Sequence, residues 1–104
     1  MRAFKFVFVA DIATHYPDKI EPVLEGLIGV DGILRTEDGF KIRTTMEGTN
    51  ARELNRKFFS LLRRGEISAT MEAEWVHDGT IERFVDFEPI GLRLVPKGRA
   101  ASRK

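Results

Sequence analysis

The run Phe4-Lys5-Phe6-Val7-Phe8-Val9 is the feature that most restricts how this chain can fold. In an extended strand, successive side chains point to opposite faces. The three phenylalanines therefore share one face, and Val7 and Val9 share the other. Apolar side chains on both faces are typical of a strand in the middle of a sheet that is covered on two sides. The run therefore predicts a central strand over residues 3–11.

Apolar residues at intervals of three and four predict a first helix, from Pro17 or Asp18 to about Val30. Asp18 with Glu21 matches a capping box at its start. Gly29 and Gly32 mark its end. The apolar stripe consists of Ile20, Val23, Leu24 and Leu27.

A second helix is predicted to follow a cap at Thr49 or Asn50 and to run to about Arg64, where Gly65 ends it. One arc of this helix is apolar and the opposite side is basic. The apolar arc consists of Ala51, Leu54, Phe58, Leu61 and Leu62.

The remaining segments alternate as strands. We expect hairpins around Glu37-Asp38-Gly39 and His77-Asp78-Gly79, because Asp-Gly is a strong turn signal. Pro89 and Pro96 are expected to bracket a short edge strand or arm. The predicted strands cover residues 33–36, 40–46, 67–76, 80–87 and 90–95.

The element order, strand-helix-strand-strand-helix-strand, resembles the ferredoxin-like superfold over residues 3 to about 76. The resemblance implies an α+β domain in which two helices cover one face of an antiparallel sheet of order 4-1-3-2. The strand at 80–87 would then be an extra hairpin strand at the sheet edge. We take 1–96 as one α+β domain and 97–104, which has no large apolar residue, as a disordered basic tail.

A sheet with helices on one face leaves the other face open. Contiguous exposed apolar surface marks interfaces or ligand sites. We therefore expect this face to be covered by a second copy, giving a homodimer, or by the arm at 90–95. This leads to our preferred function, a non-enzymatic binding or regulatory module that acts through self-association or a protein partner.

The side chains that catalysis and metal binding use are scarce. There is no cysteine, which excludes disulfides, thiolate catalysis and iron–sulfur clusters. His15 and His77 are read as solvated loop residues, and we predict no catalytic residue, metal or cofactor. Glu72 and Glu74 share a sheet face, where we expect them to pair with the basic residues Lys41, Arg43 or Arg83.

No apolar run is long enough to cross a membrane, and the first residues do not match a signal peptide. We therefore expect a cytoplasmic protein without a membrane partner.

The net charge of +1 is a cancellation between oppositely charged segments. Residues 52–64 carry five basic side chains and one acidic, whereas residues 65–88 carry one basic and seven acidic. The alternative function is therefore RNA or other nucleic-acid binding through the basic helix and tail. The basic residues concerned are Arg52, Arg56, Lys57, Arg63, Arg64, Lys97, Arg99, Arg103 and Lys104.

The RNA-recognition motif shares this element order and stacks bases on aromatic side chains of its central strands. The segment Gly39-Phe40-Lys41-Ile42-Arg43 resembles part of its signature. It departs from the signature at Ile42, where an aromatic residue would stand. Base stacking on the sheet is therefore disfavoured.

A second alternative is a dimeric α+β-barrel enzyme or small-ligand binder. Its pocket would lie between the helices and the sheet. Asp11, His15 and Trp75 are the candidate lining residues.

Overall fold

The computed structural model describes residues 3–94, which form an α+β fold with two helices and six strands. The strands lie in one antiparallel sheet, in the order β2-β3-β1-β4-β5-β6. The α+β class predicted from the sequence is confirmed. In chain order the elements are β1 (Phe4–Ala13), α1 (Pro17–Ile28), β2 (Ile33–Arg35), β3 (Gly39–Gly48), α2 (Ala51–Gly65), β4 (Thr70–His77), β5 (Thr80–Val85) and β6 (Glu88–Leu94).

β1 is an interior strand, as its two-faced apolar pattern predicts. It pairs with β3 along its whole length and with β4 from Val7 to Ala13. Phe6 and Phe8 are buried, but Val7 and Val9 are only half-buried. Burial on the phenylalanine side is therefore complete except at Phe4, which is 37% exposed, and burial on the valine side is partial.

The buried face of the sheet packs against α1 and α2. Ile20 and Leu24 of α1 are buried, and Val23 and Leu27 pack partly buried against the same core, as the stripe predicts. The predicted capping box at Asp18 is wrong, because the N-cap of α1 is Tyr16 and no side chain caps it. Pro17 lies in the first turn, where a missing N–H costs no helical hydrogen bond.

α2 begins at the predicted cap. The side chain of Asn50 accepts a hydrogen bond from the backbone N–H of Glu53 at 2.8 Å. Ala51, Phe58 and Leu62 of the predicted arc are buried, and the buried side also includes Asn55 and Phe59, which the prediction left out. Leu54 and Leu61 are half-buried. The helix therefore contacts the sheet through a wider surface than its aliphatic residues indicate.

Residues 66–69 form a turn rather than the start of β4. Ile67, predicted to lie on the apolar side of that strand, is 72% exposed. The alternating pattern continues through this turn, and Ala69 at its end is buried. Periodicity alone therefore placed the start of the strand three residues too early.

The C-terminal segment differs most from its prediction. β5 ends at Val85, and Asp86, with a φ of 55°, turns the chain into β6. Pro89 lies inside β6 instead of before it. β6 pairs with β5 in the plane of the sheet and forms its edge, so the predicted edge position of the 80–87 strand is wrong. Because β6 extends the sheet sideways, it leaves the open face uncovered.

Gly39 fixes the entry to β3. A Cβ atom on this residue would lie 2.0 Å from the carbonyl oxygen of Ile12 in β1. Only glycine allows the two backbones to approach this closely. The β4–β5 hairpin has its predicted turn, with φ positive at both Asp78 and Gly79.

Candidate functional site

The face of the sheet opposite the helices is the candidate site, and we call it the open face. Its central side chains are Val7 and Val9 of β1. The antiparallel register places the side chains of neighbouring strands in rows across this face. The first row is Leu34, Lys41, Asp11, Glu72 and Val85; the second is Arg43, Val9, Glu74 and Arg83; the third is Thr45, Val7, Val76 and Ile81.

The open face has an apolar centre and apolar flanks. Val7, Val9, Val76 and Ile81 are half-buried although no helix covers them. Leu34, at the far side on β2, is 63% exposed. Lone exposed apolar residues are ordinary on a protein surface, but a contiguous group marks an interaction surface.

Charges on the open face are sorted by strand. β3 presents Lys41 and Arg43, whereas β4, on the other side of β1, presents Glu72 and Glu74. β1 carries Asp11 between Lys41 and Glu72. In the rows through Asp11 and Val9, β3 is therefore basic and β4 acidic, with β1 between them, whereas Arg83 of β5 and Glu47 of β3 carry the opposite sign to their neighbours.

Two ion pairs bridge neighbouring strands on this face. Lys41 Nζ lies 3.4 Å from Asp11 Oδ1, and Arg83 Nε lies 3.4 Å from Glu74 Oε2. The pairing predicted for Glu74 is thus present with Arg83. Such exposed pairs contribute about 0–1 kcal/mol to stability. Within the described part of the chain, Arg43 and Glu72 have no ion-pair partner.

The basic side of α2 is less available than its sequence indicates. Arg56 is ion-paired with Glu53. Arg63 Nε donates to the carbonyl of Ile67 at 3.1 Å, and its guanidinium lies over the ring of Phe59.

The exposed basic residues of α2 without such contacts are Arg52, Lys57 and Arg64. The tail residues Lys97, Arg99, Arg103 and Lys104 lie outside the described residues.

The structure does not bring Asp11, His15 and Trp75 together. Trp75 is fully buried and stacks on Phe8, with ring centroids 3.9 Å apart, on the helix side of the sheet. Asp11 lies on the open face, and His15 is exposed in the loop between β1 and α1. A cavity of about 540 Å³ at the end of the sheet is lined by Asp11 and Glu72 among others, but by neither His15 nor Trp75.

His77 was predicted to be a solvated loop residue, but it is half-buried. Its Nδ1 lies 3.0 Å from the carbonyl oxygen of Lys5, and its ring packs against Phe4 and Phe6. These contacts join the end of β4 to the start of β1. They give this histidine a packing role at the sheet end.

A buried polar network that the sequence analysis missed connects α2 to the sheet. The indole N–H of Trp75 donates to Asn55 Oδ1 at 3.0 Å, and Asn55 Nδ2 donates to the carbonyl of Asp86 at 2.8 Å. The Asp86 carboxylate accepts from the backbone N–H of Met71 at 2.9 Å. The available signal was Asn55 itself, a polar residue one turn from both Ala51 and Phe59 on the buried arc.

Glu66, just after α2, holds the turn that leads to β4. Its carboxylate accepts hydrogen bonds from the side chain and the backbone N–H of Ser68, and from the hydroxyl of Thr14 at 3.3 Å. The bond from the Ser68 side chain is the main reason why the pKa of Glu66 lies below its ordinary value.

Residues 3–94 contain no group of three or more histidine or acidic side chains placed to hold a metal ion. No described helix is long and apolar enough to cross a membrane. No protein-family model matches the chain, and comparisons with curated proteins and with solved structures also gave no match.

Proposed function

We propose that this protein is a self-association module in which the open face of the sheet binds a second copy of the chain. The observation that carries the proposal is the contiguous apolar centre of that face, flanked by opposite charges on β3 and β4. Burying apolar side chains against a second copy removes them from water, which is the main driving force for association. Charges of both signs on one surface suit a partner that carries the same surface.

The fold proposed to present this face is a ferredoxin-like unit extended at one edge. The order of elements from β1 to β4 and the adjacency β2-β3-β1-β4 support it. β5 and β6 would be additions that widen the sheet beyond the helices. This widening enlarges the face available to a partner.

The size of the open face is sufficient for a dimer. The strands lie about 4.8 Å apart, and eight residues of β4 span about 26 Å, so β3, β1, β4 and β5 present about 500 Å². Two copies would bury about 1,000 Å², the size at which an interface with good complementarity becomes specific. We therefore expect reversible association rather than an obligate dimer.

The oligomeric state of the full chain tests the proposal. Sedimentation velocity should show the 11.9 kDa chain converting to a dimer as its concentration rises. Val9→Lys puts a charge at the centre of the open face and should keep the chain monomeric. Val30→Lys is the matched control, because Val30 is exposed in the loop between α1 and β2 and should leave association unchanged.

Two outcomes would overturn self-association through this face. One is a native chain that stays monomeric up to about 500 μM, a concentration at which even weak specific dimers form. The other is a Val9→Lys dimer as tight as the native one. Far-UV circular dichroism checks folding, and Thr45→Lys, at an exposed position in the same row as Val7, serves if Val9→Lys does not fold.

Nucleic-acid binding through α2 is the second candidate, favoured by the exposed Arg52, Lys57 and Arg64. Retention of the native chain on heparin at low salt, lost on raising the salt, is the expected result of such binding. The variant Arg52→Glu/Lys57→Glu should then elute earlier, whereas Val9→Lys should not. Absence of retention at low salt would exclude this candidate.

A further inference from the structure

We infer that the second copy binds with its two-fold axis parallel to β1, so that the basic strand β3 of each copy lies over the acidic strand β4 of the other. This inference rests on the proposed self-association through the open face. It goes further by fixing the symmetry of the dimer and the residues that meet across it.

The geometry of packed sheets leaves few arrangements to consider. Two identical faces that cover each other are related by a two-fold axis lying between them. Aligned sheets keep their strand directions within about 30° of each other. In aligned packing the axis therefore runs approximately along the strands or approximately across them.

Rotation about an axis along β1 exchanges the strands on the left of β1 with those on its right. Each residue keeps its position along the strand direction. β1 then faces β1 of the partner, and β3 faces β4. In the row through Val9, Arg43 of each copy meets Glu74 of the other, and in the neighbouring row Lys41 meets Glu72. Opposite charges meet four times in one dimer.

The same operation brings the apolar residues of β1 together and places Val76 of β4 over Thr45 of β3. Val9 and Val7 each meet their own copies at the axis. β2 comes to lie over β5, because each stands two strands from β1. Leu34, which is 63% exposed, therefore covers Val85, which shares its row. The exposed leucine on β2 thus has a defined place in this arrangement.

An axis across the strands gives the opposite result. It keeps each strand on its own side, so β3 faces β3 and β4 faces β4. Arg43 would then meet its own copy in the row through Val9, and so would Glu74. Like charges at an interface cost several kcal/mol, which is why the axis along β1 is favoured.

With the axis along β1, the charged residues of β1 itself, Lys5 and Asp11, remain as pairs of like charges. Asp11 lies on that strand and meets its own copy. Its ion pair with Lys41 at 3.4 Å offsets part of this repulsion. Asp11→Asn should therefore strengthen the dimer by up to about tenfold in Kd, a result that an ordinary favourable contact would not give.

Charge reversal at Arg43 and Glu74 tests the axis. Each single variant, Arg43→Glu or Glu74→Arg, places two like-charge pairs in its own dimer and should weaken association at least about tenfold. Mixing the two variants in equal amounts creates a heterodimer in which both pairs are opposite in charge. This mixture should associate to within about threefold of the native chain. Native mass spectrometry distinguishes the heterodimer by mass, and sedimentation gives its Kd.

The mixture also provides the control for effects within one chain. Arg43 and Glu74 flank Val9 in one row, two strand spacings or about 10 Å apart, so recovery by mixing must come from contacts between copies. An axis across the strands predicts instead that the Arg43→Glu chain binds the native chain more tightly than the native chain binds its own copy, because a contact between two Arg43 side chains is replaced by one between opposite charges. That result overturns the inference, as do unchanged single variants. Self-association through the open face would survive both results, since it fails only by the Val9→Lys test or by a monomeric native chain.

Discussion

The buried hydrogen bonds of Asn55 give a prediction about stability that the open face does not affect. Asn55 is 1% exposed and bonds to two groups, the indole N–H of Trp75 and the carbonyl of Asp86. Asn55→Ala removes both partners at once. A buried polar group left without a partner costs about 1–3 kcal/mol. We expect a loss of about 3 kcal/mol, which is a large part of the 5–15 kcal/mol typical of a domain.

The expected change is well within the range of a thermal or urea unfolding measurement. For a domain of this size, 1 kcal/mol shifts Tm by about 4–8 °C, so Asn55→Ala should lower Tm by about 12–24 °C. Trp75 is the only tryptophan and stands in the network, so its fluorescence reports unfolding directly. The measurement is repeated at two protein concentrations, because association stabilises the folded state by mass action.

Asn50→Ala is the matched control. Asn50 is exposed and bonds to one backbone N–H as the cap of α2, so its loss should cost only about 1 kcal/mol. Trp75→Phe completes a double-mutant cycle by removing the indole donor. In that background Asn55→Ala should cost about 1–2 kcal/mol less than in the native chain. The buried hydrogen bonds of Asn55 have no such stabilising effect if Asn55→Ala costs no more than Asn50→Ala, or if the two changes in the cycle are additive.

Two further predictions concern backbone space and acid stability. Gly39→Ala should destabilise the fold severely, because its Cβ would overlap the Ile12 carbonyl. Gly26→Ala, in the last turn of α1 with open space around it, should stabilise the fold by up to about 1 kcal/mol. Urea unfolding of both variants measures this, and equal effects would contradict the close approach. The pKa of Glu66 is lowered in the folded chain, so its stabilising effect is present above pH 4.5 and is lost as pH falls through the folded value. Glu66→Gln should therefore show a weaker loss of stability than the native chain on acidification below pH 4.5, and identical pH profiles would show that this carboxylate has no such effect.

Local sequence patterns predicted those features that depend on residues close together in the chain, such as the two faces of β1 and the first turn of α2. The alternation of Phe6, Val7 and Phe8 placed β1 inside the sheet, since period-2 burial needs no knowledge of the partner strands. Asn50 predicted the start of α2, because a cap acts on the first turn of its own helix. Ile67 misled the prediction of β4, since alternation continues through a turn whose backbone no longer pairs.

The candidate site needed the strand register. The alternation of side chains along β1 puts Asp11 and Phe8 on opposite faces of the sheet. The sequence alone does not show that Trp75 pairs opposite Phe8. Once this register is known, Asp11 and Trp75 fall on opposite faces, and the predicted pocket cannot contain both. The burial of Asn55 was hidden for a similar reason. Its partners, Trp75 and the Asp86 carbonyl, are 20 and 31 residues away along the chain.

By itself the sequence determined the α+β class, the interior position of β1, and the segregation of charge between α2 and the segment that follows it. These depend on periodicity and composition, which act over a few residues. The tertiary structure decided that β6 extends the sheet in its plane, that Trp75 is sealed in the core, and that β3 and β4 bring opposite charges to the two sides of Val9. The physical reason is that the register between strands depends on hydrogen bonds and packing between residues far apart in the chain, and these contacts determine which charges share a face.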